Sequence, residues 1–265
     1  MFSCLTCDVE VASTKNIEEL KAIISLINRY DAICMFFIEI SQKNFDLYKG
    51  ISNLFEKHEV GLHIHWGSME SYAKGLEKIS IETMQTELEI SLELLNKLGF
   101  KPISFRGGGL CCTDASLRLL KEYGFKIDSS VAAKLDEKEG WFQGHGSVPY
   151  MGYYYPSKRS YNIPAVSLKD KVGILEVPVT RMIPSGRSWF PYTLTPDNPF
   201  YKFIVYEWMM KSHGKSKALI TPIFHSWGEG KLRGNKFPKF LEKLDQLIRF
   251  LINRDIKFIK FESLL

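Results

Sequence analysis

Residues 98–130 read LGFKPISFRGGGLCCTDASLRLLKEYGFKIDSS, and within that stretch one phrase is spoken twice. Leu98-Gly99-Phe100-Lys101 and Tyr123-Gly124-Phe125-Lys126 each place a glycine where a helix stops and an apolar run where a strand begins. Between them the pattern predicts a strand over Pro102 to Arg106, an N-cap at Thr113 or Asp114, and a helix through Leu120. A further strand follows over Phe125 to Ser129. Repeated β-α units of this kind imply a parallel sheet with helices packed on it.

The same alternation extends upstream. Phe2 to Asp8 reads as a strand, and Ile17, Leu20, Ile24 and Ile27 mark one helix face. Ala32 to Ile40 is a second strand, after which Phe45, Leu47, Ile51, Leu54 and Phe55 stripe a second helix. Glu59 to His65 is a third strand, and a helix from about Ile81 turns Met84, Leu88, Leu92 and Leu95 inward. Downstream, residues 132–172 break the rhythm as a long aromatic-rich insertion, with Trp141, Phe142, Tyr150 and Tyr153-Tyr154-Tyr155. Strands over Gly173 to Thr180, Ala218 to His225 and Lys257 to Phe261, and helices over Pro199 to Lys211 and Pro238 to Asn253, complete the series. Seven or eight strands alternating with helices define an α/β fold, a β/α barrel that need not close, in one domain spanning residues 1–265.

Composition excludes several classes. With 45% hydrophobic and 25% charged residues the chain is neither disordered nor fibrous. The longest apolar run, Ala32 to Ile38, falls well short of the roughly 20 residues of an integral membrane helix, and no basic region precedes an apolar leader. A cytoplasmic protein is expected. The net charge of +5 is spread out, with no basic block for nucleic acid. Five cysteines include Cys4 and Cys7, but a strand would turn those two to opposite faces, so a shared metal is not expected. All five read as reduced and mostly buried.

Polar residues at the ends of apolar strands do not fit a packing role. Asp8 and Glu10 end the first strand and share a face, because residues two apart point the same way. His63 and His65 share a face in the third, and two imidazoles there need a common partner, either a metal ion or a structural acceptor. Arg106 ends the fourth strand, Asp128 the fifth, and His225 the strand before the last long helix. In parallel α/β folds the carboxyl ends of the strands are where chemistry is placed. Read singly, each has a plain alternative: a cap for Asp8, a turn for Arg106, a buried donor for His225. His58, His145 and His213 have no such company.

Taken in order, LTCDVE, EVGLHIHW, FRGGG, GFKIDSSV, GILEVPVT and IFHSW resemble the polysaccharide deacetylase (NodB-homology) family, the family 4 carbohydrate esterases. The resemblance covers nearly the whole chain and implies an irregular barrel of seven or eight β/α units that removes acyl groups from sugars with a divalent metal, commonly zinc. By position it implies that Asp8 is the general base, His225 the general acid, and Arg106 the residue that orients the base. It makes Asp128 the acid paired with that arginine, Gly109 the backbone donor to an oxyanion, and Glu10 and His63 metal ligands. Trp66, Tyr153, Tyr155 and Trp227 are the aromatic candidates for a sugar face.

One departure stands out. The family's second metal histidine would fall at position 67, which is Gly67, and His65 on the same strand face is the substitute. The expected substrate is a small-molecule, nucleotide-linked or lipid-linked N-acyl sugar of surface-glycan assembly. Two rivals compete: a metal-independent amide hydrolase on the same fold, and an inactive sugar-binding module.

Overall fold

The structure, a computed structural model, describes residues 1–67, 79–110, 112, 114–130, 132–133, 141–143, 154–156, 166–167, 174–177, 179–182, 192–211, 219–228 and 234–265. Seven strands form one parallel sheet: β1 (Leu5–Glu10), β2 (Cys34–Glu39), β3 (Glu59–Ile64), β4 (Ser104–Gly107), β5 (Ile127–Asp128), β6 (Leu175–Glu176) and β7 (Ile223–His225). They run in the spatial order β6-β5-β4-β3-β2-β1-β7, and the two-residue strand Val166–Ser167 adds antiparallel to β6. This is the curled sheet of an incomplete β/α barrel, as the sequence predicted. A second small parallel sheet joins Phe2–Ser3 to Leu219–Ile220 and Lys257–Phe258, so both ends of the chain are stitched together.

The helices lie where the periodicity put them. They are α1 (Thr14–Arg29), α2 (Ile81–Lys97), α3 (Asp114–Glu122), α4 (Tyr201–Lys211) and α5 (Phe237–Ile252). Ser13 and Ser80 cap α1 and α2, each accepting a hydrogen bond from a first-turn backbone N–H, which satisfies one orphan donor. Gly99 and Gly124 follow the helix ends at φ +88° and +85°, a conformation that costs other residues about 1 kcal/mol or more. The expected helix over Phe45 to Phe55 is instead a short helix (Phe45–Lys49) and a separate 3-10 turn (Ser52–Phe55), the helical path being left at Ile51, where φ is −133°.

Two apolar cores divide the strand residues by parity. The outer face packs Leu5, Cys7, Val9, Phe36, Ile38, Leu62, Ile64 and Phe105 against the helices. The inner face buries Cys4, Met35, Phe37, Ile127, Leu175, Val177 and Phe261. Gly61 on β3 makes room for this inner core, since a Cβ there would stand 2.7 Å from the Phe37 ring. The ring in turn lies 4.2 Å beneath the Arg106 guanidinium. Within the insertion expected as a loop, the described residues form short strands: Ala132–Ala133, Trp141–Gln143 and Tyr154–Pro156 pair antiparallel, and Ala132–Ala133 also pairs with Val179–Met182. Cys4, Cys7, Cys34 and Cys112 are buried thiols, as expected of reduced cysteines.

Candidate metal centre and acid–base site

The site is built at the carboxyl ends of β1, β3, β4 and β7. Parity puts Asp8 and Glu10 on the inner face of β1, His63 on that of β3, and Arg106 on that of β4. Register then aligns them: His225 sits beside Asp8, and His63 beside Arg106. Residues scattered over more than two hundred positions meet because parallel strands bring every carboxyl end to one rim.

Glu10, His63 and His65 form the only group of three or more His, Cys, Asp or Glu side chains placed to hold a metal among the described residues. Glu10 Oε1 lies 3.4 Å from His63 Nε2 and 3.2 Å from His65 Nε2, and the three donor atoms fall within 4.8 Å of one another. The imidazoles meet edge to face with centroids 4.8 Å apart. His63 Nδ1 donates to the Arg106 carbonyl at 2.8 Å, a bond that fixes the tautomer and leaves the Nε2 lone pair aimed at Glu10. A tetrahedral zinc site with bonds of about 2.0–2.1 Å has donor–donor edges of about 3.3–3.4 Å. The two edges from Glu10 to the imidazoles match that spacing, and a carboxylate with two imidazoles is donor chemistry that suits zinc. Gly67, at the family's second histidine position, lies at φ 70° with its N–H donating to both Glu87 carboxylate oxygens at 3.1 Å.

Electrostatics sort the acids. Burial pushes the Glu10 carboxyl up, but hydrogen bonds and charge from His63 and His65 outweigh it and hold it far below the usual carboxylate range. Burial likewise opposes ionisation of Asp8, and the Arg106, His63 and His225 charges more than offset it. Arg106 Nη1 donates to Asp8 Oδ1 at 2.7 Å with both side chains sealed from solvent. His63 is pushed down by burial, yet Asp8, Glu10 and the Arg106 carbonyl leave it above its ordinary value. Asp8 is thus a carboxylate held ionised within the barrel and able to accept a proton.

The remaining expected residues divide. His225 is half-buried at the rim beside Trp227, ring centroids 5.0 Å apart. Gly109 lies at φ 62°, ψ 18° in the turn that ends β4. Asp128 corrects an expectation: it does not pair with Arg106. The guanidinium donates to Ser129 O, Thr6 Oγ1, Asp8 Oδ1 and Ser129 Oγ, at 2.7–3.0 Å. Register sets Asp128 beside Phe105, on the face away from Arg106, so the arginine's acid is Asp8. Trp66 is a second correction. It is 0% exposed and packed in the outer core near Phe105, so it cannot stack on a sugar. Tyr153 lies outside the described residues, and Tyr155 is described only as backbone in the Tyr154–Pro156 strand.

Sequence reading missed Thr6, Ser129, Ser130 and Glu176. Only Glu176 carried a signal, as a lone acid inside the apolar run Gly173 to Val179.

No family model matches the sequence, and no curated protein matches it. Solved structures do. A protein assigned as a polysaccharide deacetylase from Mycobacterium smegmatis superposes with TM-score 0.59 at 14% identity, over 98% of this chain and 87% of its own. A family 4 carbohydrate esterase from Streptomyces lividans, in complex with acetate, matches with TM-score 0.51 at 9% identity, over 97% and 91%. A family 4 pseudoenzyme from Bacillus anthracis matches with TM-score 0.52 at 13% identity, over 99% of this chain and 64% of its own. The fold is that of the family 4 polysaccharide deacetylases. Both enzymes and a pseudoenzyme wear it, so activity has to be argued from the site.

Proposed function

We propose that this chain is one catalytic domain, a metal-dependent hydrolase that removes an acetyl or related acyl group from an N-acylated sugar. The observation that carries the reading is the convergence of Glu10, His63 and His65 with the Arg106–Asp8 pair and His225 at one rim. Glu10, His63 and His65 would hold the cation, zinc first among candidates, which when bound polarises an acyl carbonyl and acidifies water.

The chain's own groups supply the rest. Asp8, kept ionised by Arg106, takes the proton of the attacking water. The N–H of Gly109 offers a donor where the carbonyl oxygen gains charge, and glycine lets the substrate approach that backbone. His225, across the rim from His63, returns a proton to the departing amine, without which an amide expels a poor leaving group. Trp227 flanks His225 as an aromatic platform for the sugar. The net reaction consumes one water and yields the carboxylic acid and the free amino sugar.

The substrate we favour is a nucleotide-linked or lipid-linked N-acetyl sugar in a cytoplasmic step of surface-glycan assembly. The test is acetate release from nucleotide-linked and free N-acetylhexosamines by protein loaded with zinc and by protein stripped with chelator. Release that needs the metal is expected. Release that survives chelation points to a metal-independent hydrolase. Saccharide binding with no release from any substrate points to an inactive binding module and refutes the catalytic reading.

A further inference from the structure

Two hydroxyls grip the Arg106 guanidinium, and each can point only one way. Nη1 donates to Thr6 Oγ1 at 3.0 Å, and Nη2 to Ser129 Oγ at 2.8 Å. Thr6 Oγ1 in turn donates to the Pro222 carbonyl at 2.7 Å, and Ser129 Oγ to the Val177 carbonyl at 2.6 Å. A guanidinium only donates and a carbonyl only accepts, so both hydroxyl protons are committed outward and both accepting lone pairs face Arg106. Neither chain can reverse. Thr6, Arg106 and Ser129 are each 0% exposed, so water does not take the place of either hydroxyl.

The anchors lie at the two ends of the sheet. Pro222 immediately precedes β7 and Val177 immediately follows β6, the outermost strands of the parallel order, whereas Arg106 projects from β4 between them. Alternation puts Thr6 on the inner face with Asp8, and Ser129 on the inner face two residues after the inward Ile127. The guanidinium also stacks on Phe37, 4.2 Å from the ring centroid, but a stack alone does not fix rotation within the plane. The Ser129 carbonyl on Nε and the two hydroxyls on Nη1 and Nη2 stop that rotation. They thereby fix which N–H meets Asp8 Oδ1.

We propose that Thr6 and Ser129 are positioning residues: acting through Arg106, they hold the Asp8 carboxylate in line for the attacking water. The brace stands on the geometry, whereas its use in catalysis rests on the reading of Asp8 as the base. Thr6 carries a second duty. It is the register partner of Ile223, and its hydroxyl ties the strand that carries Asp8 to the segment that leads into His225. A displaced guanidinium would misplace the proposed base relative to the proposed acid, and an error of about 1 Å in such an alignment can cost about 100-fold in rate.

Rotation about the Arg106 Nε–Cζ bond, read by NMR of the guanidinium nitrogens, tests the brace without a substrate. Thr6→Val keeps the side-chain shape and leaves the Pro222 carbonyl its backbone N–H partner at 3.0 Å, so it unpairs one Arg106 donor. Rotation about tenfold faster than in the parent is expected in Thr6→Val and in Ser129→Ala, the change that one hydrogen bond supports. Thr6→Ser, which restores the hydroxyl, should stay within about threefold of the parent, and so should amide exchange at Phe36 in all three variants. Parental rotation in Thr6→Val and Ser129→Ala, or an equal acceleration at Phe36, overturns the proposal. Should Thr6→Val fail to fold, Ser129→Ala and Thr6→Ser still decide. Steady-state deacetylation tests the use of the brace. Because Thr6 is sealed from the substrate, Thr6→Val should lower kcat by about 10–100-fold and leave KM within about threefold. An unchanged kcat removes the positioning role. The NMR reading does not use turnover, so an inactive parent with a braced Arg106 would refute only the hydrolase reading. An active parent whose Arg106 rotation ignores both substitutions would refute only this inference.

Discussion

Strand β3 has a histidine at each end, and the two are tuned in opposite directions. His58, just before the strand begins at Glu59, is 7% exposed, and burial, with Lys57 beside it, pushes its imidazole down to about 4. His63, at the other end, is 2% exposed, and burial pushes it down as well. Asp8 and Glu10 reverse the sign there and leave it above its ordinary value. His58 Nδ1 accepts from the Cys34 N–H at 3.4 Å, a neutral structural bond. Burial is common to both, and the neighbouring acids decide the outcome. At one end of the strand burial keeps an imidazole neutral, and at the other two acids gather around a candidate place for a cation.

The strongest way to break this contrast is to remove the cation from the charged end. Arg106→Met leaves Asp8 buried without its partner, and we expect a loss of about 3–5 kcal/mol in urea unfolding. A cost under about 1 kcal/mol would mean that the Arg106–Asp8 pair does not organise this end. Next in size, His225→Ala should lower deacetylation of an N-acetyl sugar by about 10²–10⁴-fold, and lower cleavage of an activated aryl acetate far less. The phenolate leaves without a proton, whereas the amine does not. Equal losses on the two substrates would return His225 to a packing role beside Trp227.

The quiet end gives a smaller, sharper prediction. Between about pH 6.5 and pH 4 the unfolded chain binds a proton at His58 that the folded chain refuses. Stability therefore falls as pH drops through that window and levels off below it. We expect His58 to contribute about 1–2 kcal/mol to that slope, allowing for partial solvent screening, and His58→Gln to remove the contribution. A slope unchanged by the substitution would mean that His58 is not what burial makes of it. Of similar size is Gly67→His, which restores the family's histidine spacing. At φ 70° a side chain is strained, and the Gly67 N–H is held by Glu87, so we expect about 1–2 kcal/mol of destabilisation and no gain in zinc affinity. A tighter zinc site in Gly67→His would show that His65 is not the replacement.

The charged end was legible in the sequence because its chemistry lies at strand ends and its parity is fixed within single strands. Asp8 with Glu10, and His63 with His65, needed only the two-residue repeat. What the sequence did not disclose depends on register between strands. Asp128 was assigned to Arg106, yet only the alignment of β4 with β5 shows that it stands beside Phe105 on the other face. Glu176 meets Asp128 through a pairing that no local pattern announces. Trp66 was misjudged because it follows His65 on a rim but turns back into the outer core, as the parity of the strand demands. The insertion resisted for a different reason: its short strands pair with each other and with Val179–Met182 rather than repeating the β-α phrase.

The claim on which the rest depends is that Glu10, His63 and His65 hold one divalent ion. Zinc titration against a competing chromophoric chelator measures it directly, without a substrate. The unaltered protein should bind one zinc per chain, and His63→Ala and His65→Ala should each weaken binding by at least about 100-fold. His58→Gln, at the other end of the same strand, should bind as the parent does. Full zinc affinity in His65→Ala would contradict the account.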